Sequence, residues 1–308
     1  MGKTKSNFRR FIKIIFNPLM GIKITLIISI IILIILSTFN QRLQKENAHL
    51  KYQLNNLKTI YNQKTEEIKD VETAITTMKN IDNHIIEIKK TFFANAKKYE
   101  DIVLAGRGTK KIVYLTIDDG PYNLTNYFLD TLDKHDVLAT FFLLGKPDDR
   151  YDVIYKRIAS SGHTVANHTY SHNVPRLYSN KTAFIDDVLK QEKFLEDKLG
   201  VKTNIVRFPG GAHSAAKKVR TGIATELRQR RYGYIDWNVS AGDCSRKSNV
   251  TTIYNNVING VLNNKVSVVL MHDFSLNTSL ALPLIIETLE KQDCIFLPLF
   301  YESAVVRK

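Results

Sequence analysis

The chain has 308 residues, 44 Lys and Arg against 30 Asp and Glu, a formal net charge of +14, and two cysteines, Cys244 and Cys294. Two cysteines exclude a disulfide framework and a cysteine-rich zinc site, so any metal must be held by His and carboxylate. The positive charge suits nucleic acid, anionic lipid, an acidic wall polymer or a merely solvated surface; no nucleic-acid-binding signature accompanies it, so no nucleic-acid partner is expected.

Residues 1–23 form a basic, acid-free leader carrying Lys3, Lys5, Arg9, Arg10, Lys13 and Lys23. The uncharged apolar run Ile24–Phe39 follows. This pattern predicts a single transmembrane signal anchor over 24–39, with the leader cytoplasmic and everything after it extracellular. The stretch STFNQRLQ beyond the run lacks a small-residue cleavage site, which favours an uncleaved anchor over a signal peptide.

From Gln41 to Thr91 there is no proline or glycine, and apolar residues recur every seven positions: Leu43, Leu50, Leu57, Val71, Met78, Ile85 and Phe92. Leu54, Tyr61, Ile68 and Ile75 make a second series, while Asn47, Lys64, Asp82 and Lys89 interrupt the seam. Residues 40–104 are therefore expected to be a helical stalk that pairs as a coiled coil and supports a homo-oligomer; the alternative is a single helix folded back on a globular domain.

At AGRGT (105–109) the helical pattern stops and a catalytic domain, 105–308, is expected to begin. Short β-rich runs now alternate with helix-length segments: KIVYLTI (111–117), VLATFFLLG (137–145), HTVAN (163–167), NIVRF (204–208), YIDWNVS (234–240), VSVVLMH (266–272) and CIFLPLF (294–300). Such alternation implies an α/β fold with a parallel sheet, closed as a barrel or opened as a doubly wound sheet. Polar groups sit directly after these runs: Asp118 and Asp119, His168 and His172, Arg207, and His272. Adjacent carboxylates at a buried strand end repel and call for a compensating cation. Two histidines four apart are by themselves more often surface residues; with Asp119 they complete a two-His, one-carboxylate set that leaves positions open for water and substrate.

The ordered series TIDDGP (116–121), HTYSH (168–172), RFPGG (207–211) and VLMHD (269–273) resembles the polysaccharide deacetylases of carbohydrate esterase family 4, among them peptidoglycan N-acetylglucosamine deacetylases. The resemblance covers residues 110–300. It implies a distorted (β/α) barrel and a metal held by Asp119, His168 and His172, zinc first, with cobalt or nickel in relatives. It further implies that Asp118 is the general base, oriented by Arg207, and His272 the general acid. Gly210 would offer its backbone N–H to the oxyanion, and Leu270 would shape the acetyl pocket. The substrate implied is a cell-wall glycan.

Departures from the pattern are Ile117 in place of a phenylalanine, and Ser240 and Cys244 where relatives carry an aspartate that tunes the acid histidine and a pocket tryptophan. Asp243 is the candidate replacement for that aspartate. A tight turn is the plain alternative reading of Gly210 and Gly211, and a core position that of Trp237. Against the hydrolase stands a catalytically silent glycan-binding or scaffold protein, kept open by the altered fourth motif; another acetylated glycan is the alternative substrate. A single Cys244–Cys294 disulfide stays open for an oxidising compartment, although nothing in the sequence places the two within bonding distance.

Overall fold

The computed structural model describes residues 18–308, so Lys3, Lys5, Arg9, Arg10 and Lys13 of the leader lie outside the described residues. The described chain falls into two compact units that meet between Ile86 and Glu87. Helix α1 (Pro18–Leu104) starts in the first and ends in the second. Its apolar run is solvent-facing along Ile24, Leu26–Ile28 and Ile30–Leu36, and is long and apolar enough to cross a membrane. Leu43, Leu50, Leu54, Leu57, Tyr61, Ile68, Val71, Ile75 and Met78 are exposed as well.

The second unit is built on eight strands. β1 (Lys111–Asp118), β2 (Thr140–Leu143), β3 (Thr164–Asn167), β4 (Ile205–Val206), β5 (Gly233–Tyr234), β6 (Val239–Ser240), β7 (Val266–His272) and β8 (Cys294–Phe296) alternate with helices α2 (Thr125–Lys134), α3 (Asp152–Ser160), α4 (Lys181–Leu199), α5 (Lys217–Gln229), α6 (Val250–Leu262) and α7 (Leu276–Lys291). Their pairing order is β5-β4-β3-β2-β1-β7-β6, all parallel. β1 pairs with β7 from Ile112 to Asp118 on one edge; on the other, β8 takes Lys111–Val113 and β2 takes Thr116–Asp118.

YIDWNVS, expected as one strand, is two. Tyr234 ends β5 at one extreme of the sheet and Val239 starts β6 at the other, so residues 235–238 cross the opening through which a regular barrel would close by hydrogen bonds. Five Cα steps reach at most about 18 Å. The two edges are thus forced to face each other, and the parallel sheet curls into the distorted barrel that the resemblance implies.

Alternation along β1 divides its side chains between two cores. Val113, Leu115 and Ile117 face the helix layer with Phe128, Leu132, Ile285 and Leu289. Ile112 and Tyr114 face inward with Phe142, Ala166, Val268 and Leu299, joined from the end of α1 by Ala96 and Val103. Ile117 therefore packs on the helix side, away from the carboxylates, and a shorter side chain there leaves the inner face unchanged. Glu100, also on α1, is buried; its carboxylate accepts the Tyr114 hydroxyl at 2.9 Å and the Ala304 N–H at 2.9 Å, which fixes the helix end to β1.

Local chemistry sets the helix starts. Asn180, Asn249 and Ser275 lie just before α4, α6 and α7 and accept the N–H of Ala183, Thr252 and Thr278, satisfying donors that a first helical turn leaves unpaired. Gly200 closes α4 in the left-handed region at φ 65°.

Candidate active site

The inward periodicity of β1 continues through Thr116 to Asp118, which is buried at the strand's C-terminal end. The register Thr116↔Leu270 and Asp118↔His272 puts Leu270 and His272 of β7 on the same inner face. After Asp118 the chain turns sharply: Asp119 takes φ 72°, a conformation short polar side chains tolerate better than most. Gly120 follows because a Cβ there would stand 2.6 Å from Oδ2 of Asp273.

The two histidines of HTYSH lie on a tight loop after β3, with Thr169 at φ 70° and His172 at φ 50°. Asn167 and Asp187 hold that loop. Buried Asn167 accepts the Thr169 N–H at 2.9 Å and donates to the Val188 carbonyl at 2.9 Å; Oδ1 of Asp187, buried on α4, accepts the N–H groups of Tyr170 and Ser171 at 2.6 and 2.8 Å. Neither residue was among the sequence candidates. Polar positions on an amphipathic helix read as solvated face, and the partner of Asp187 is a loop more than a dozen residues upstream.

The ring of His168 donates from Nδ1 to the Arg207 carbonyl at 2.9 Å, so its Nε2 is the atom directed at the carboxylates. Oδ1 of Asp119 lies 3.3 Å from Nε2 of His168 and 3.3 Å from Nε2 of His172, yet has no hydrogen-bond partner of acceptable geometry. Burial, and then the neighbouring His168 ring, lower the pKa of His172. Burial by itself would raise the Asp119 carboxyl, but His168, His172 and His272 outweigh it and hold it down at about 2. A carboxylate and two ring nitrogens that converge without bonding to one another are the donor set a divalent cation requires, and the residues fit such an ion.

On one side of this group stands Arg207, fully buried, whose guanidinium donates to Asp118 Oδ1 at 2.8 Å, to Thr116 Oγ1 at 2.6 Å and to the carbonyls of Ile235 and Asp236 at 3.2 Å each. It therefore pairs with the carboxylate and also fastens the segment that crosses the barrel opening. On the other side Nε2 of His272 approaches Oδ2 of Asp119 at 3.9 Å. Asp243, the candidate replacement partner, accepts the His272 N–H at 2.7 Å through Oδ2 and the ring Nδ1–H at 2.9 Å through Oδ1. Thr278 also donates to that carboxylate at 3.0 Å. Burial would lower the pKa of His272, but Asp243 and then Cys244 overcome it and push it up to about 11.

Gly210 lies in the exposed loop after β4 at φ 70°, and its carbonyl accepts the Ser214 hydroxyl at 2.7 Å. Trp237 packs against the inner core but is only half-buried, and its ring lies beside Gly211, where a Cβ would come within 3.2 Å of it. Ser240 is exposed at the end of β6, and Cys244 is an exposed free thiol touching the His272 ring, whereas Cys294 is buried and free. Two further groups near the carboxylates, Asp273 at the end of VLMHD and Lys146, were given no role by the sequence. Asp273 is fully buried, accepts the Thr125 hydroxyl and is pushed up to about 7 by burial. Nζ of Lys146 sits 3.2 Å above the Tyr122 ring, and its pKa is lowered to about 8 by burial.

A family model described as polysaccharide deacetylase matches residues 105–225. The catalytic domain of peptidoglycan N-acetylglucosamine deacetylase from Eubacterium rectale is similar at 36% identity, covering 64% of this chain and 92% of that one with a TM-score of 0.61. A Streptococcus mutans CE4 esterase is similar at 29% identity, covering 66% and 91% of the two chains with a TM-score of 0.59. A peptidoglycan-N-acetylglucosamine deacetylase of Bacillus cereus is 28% identical over 187 residues, 59% of this chain and 67% of its own length. The chain spans about two thirds of the length of the curated relatives it matches first.

Proposed function

This chain belongs to the polysaccharide deacetylase family, and we propose that it hydrolyses the acetamide of N-acetylated sugars in a cell-wall glycan, with peptidoglycan N-acetylglucosamine the substrate and a divalent metal, zinc first, the cofactor. One observation carries the reading: Asp119, His168 and His172 converge between a buried Asp118–Arg207 pair and a His272–Asp243 pair.

Asp119, His168 and His172 would hold the ion, which when bound supplies Lewis acidity toward water and the acetyl carbonyl. Asp118, oriented by Arg207, accepts the proton of the attacking water. The tetrahedral oxyanion is offered the N–H of Gly210, and Leu270 borders the methyl group. His272 donates its proton to the sugar nitrogen as the C–N bond breaks, so acetate and a free amine leave. Asp243 fixes the ring with Nδ1 turned away and Nε2 directed at Asp119. The Asp243–His272 bond favours this hydrolase over a catalytically silent glycan-binding scaffold, because a carboxylate stands on the histidine despite the altered motif.

The apolar helix supports a single-pass anchor with the catalytic unit extracellular, beside its substrate, and the exposed heptad stripe supports pairing of α1 with a second copy. The test is acetate release by the full chain in detergent from purified peptidoglycan and from acetylated chitooligosaccharides, with and without zinc, beside Asp119→Ala. Metal-dependent release from peptidoglycan that Asp119→Ala abolishes is expected; no release from either by the folded, metal-loaded chain refutes the reading.

A further inference from the structure

The mouth of the site carries an aromatic corner that the steps of the proposed hydrolysis do not use. Phe274 follows β7 two residues after His272, and its ring is centred 5.1 Å from the imidazole at an interplanar angle of 32°. Tyr122 follows the turn that carries Asp119, and its ring meets Phe274 edge to face, with centroids 5.6 Å apart and an angle of 81°. The two side chains thus join the C-terminal ends of β1 and β7, the strand pair that presents Asp118 and His272. Phe274 remains 39% exposed, a large apolar ring open to water beside a buried histidine.

The corner is braced from below. The Tyr122 N–H donates to Thr125 Oγ1 at 2.7 Å, Nζ of Lys146 lies 3.2 Å above the Tyr122 ring, and the same ammonium donates to the Pro121 carbonyl at 2.8 Å. The main chain and ring of Tyr122 are therefore fixed, while its hydroxyl has no hydrogen-bond partner among the described residues. Burial, and then the charges of Asp119 and Asp273, raise the pKa of that hydroxyl, so it stays a neutral donor within the field of Asp119.

An exposed apolar face beside an unpaired hydroxyl matches the surface of a sugar, which carries C–H groups on the faces of its ring and hydroxyls around its rim. We propose that Tyr122 and Phe274 form the subsite for the pyranose ring whose acetamide is hydrolysed, the C–H face lying on Phe274 and a sugar hydroxyl bonded to Tyr122 Oη. In its proposed role Nε2 of His272 comes within hydrogen-bond reach of the sugar nitrogen, so the ring carrying that nitrogen lies against the border of the imidazole. Phe274 stands at that border. Because both aromatic rings are held before the sugar arrives, little side-chain freedom is lost on binding.

The subsite rests on the reading of the site as a sugar deacetylase, and its test separates the two. Acetate release from acetylated chitooligosaccharides by the full chain in detergent is resolved into kcat and KM for the native chain, Phe274→Ala, Phe274→Tyr and Tyr122→Phe. Phe274→Ala is expected to raise KM by about tenfold, as loss of an aromatic anchor does, with kcat changing by less than about twofold. Phe274→Tyr keeps the platform and stays near the native KM. Tyr122→Phe removes one hydrogen bond and raises KM by about two- to tenfold; both conservative variants keep the packing, which guards against a truncation that merely unfolds. A fall in kcat at unchanged KM in Phe274→Ala would mean that the ring only props His272, and overturns the subsite. If the folded native chain releases no acetate, calorimetric titration with acetylated chitopentaose decides. Binding about tenfold weaker in Phe274→Ala leaves the subsite standing while the deacetylase reading falls, and equal or absent binding overturns both.

Discussion

Both oxygens of Asp243 bind one residue, His272, through its main-chain N–H at 2.7 Å and its ring Nδ1–H at 2.9 Å. Such a clamp fixes tautomer, ring orientation and charge together. The raised pKa, about 11, keeps His272 an imidazolium across neutral pH. In its proposed role of proton donor it would work below that value and fail as pH rises through it, and so set the alkaline limb of the rate profile. Asp243→Asn removes the charge while leaving an acceptor for Nδ1–H. We expect kcat to fall by about 10²-fold or more, within the range of general acid catalysis, and the alkaline limb to move to lower pH. A profile of kcat/KM against pH checks this: an unmoved limb would detach Asp243 from the acid.

Arg207 is the largest fully buried side chain, and its charge faces a carboxylate that is itself buried. Removing one partner of such a pair leaves the other charge desolvated and alone, at a cost of about 3–5 kcal/mol. Arg207→Met is expected to lose stability of that order, since Asp118 loses its partner and the carbonyls of Ile235 and Asp236 lose their donor. Trp237, the single tryptophan, stands 5.9 Å from the guanidinium and gives a fluorescence signal local to this unit in denaturant titrations. Native-like unfolding of the variant would contradict the account.

Much of this arrangement is legible in the sequence, and the reason differs by element. β1 and β7 are continuous apolar runs because each is buried on both faces, so their ends, and the polar residues after them, stand out. The break in YIDWNVS is not legible, because it depends on where the sheet fails to close and on an arginine more than two dozen residues upstream that binds its carbonyls. Asp187 escapes for a related reason. Its burial on α4 is decided by a loop folding over it, which helix periodicity does not encode. The proposed ligand set needed only spacing and strand-end position; the groups that hold those residues needed tertiary structure.

Asp187 yields a prediction of its own. Its oxygen orders the two N–H groups between His168 and His172, so it governs the spacing of the proposed ligands without touching the ion. Loss of such outer support commonly costs 10–100-fold in metal affinity. Asp187→Ala should weaken zinc binding by about that factor, and Asp187→Asn, which keeps an acceptor oxygen, by less. Equilibrium dialysis of the full chain in detergent against zinc measures both, and equal affinity in all three chains would remove Asp187 from the role.

The stalk invites the last test. Leu50, Leu54, Leu57, Tyr61, Ile68, Val71, Ile75 and Met78 follow one another at steps of four and three residues, save the step of seven from Tyr61 to Ile68 over Lys64, and are all exposed on α1. Each leucine withdrawn from water returns about 1.5–3 kcal/mol, and one helix cannot bury its own stripe, so a second copy in register is the economical cover. Asn47 and Lys64 within the seam weaken it locally and also restrict the register, since a shifted pair would set them against apolar side chains. Leu57 lies on the stripe and Thr59 on the opposite face. In a Cys244→Ser background, Leu57→Cys is expected to form a disulfide-linked dimer rapidly under mild oxidation of the full chain in detergent, and Thr59→Cys slowly. Equal rates at the two positions, or monomers throughout, would mean that α1 stands unpaired and that its stripe meets something other than itself.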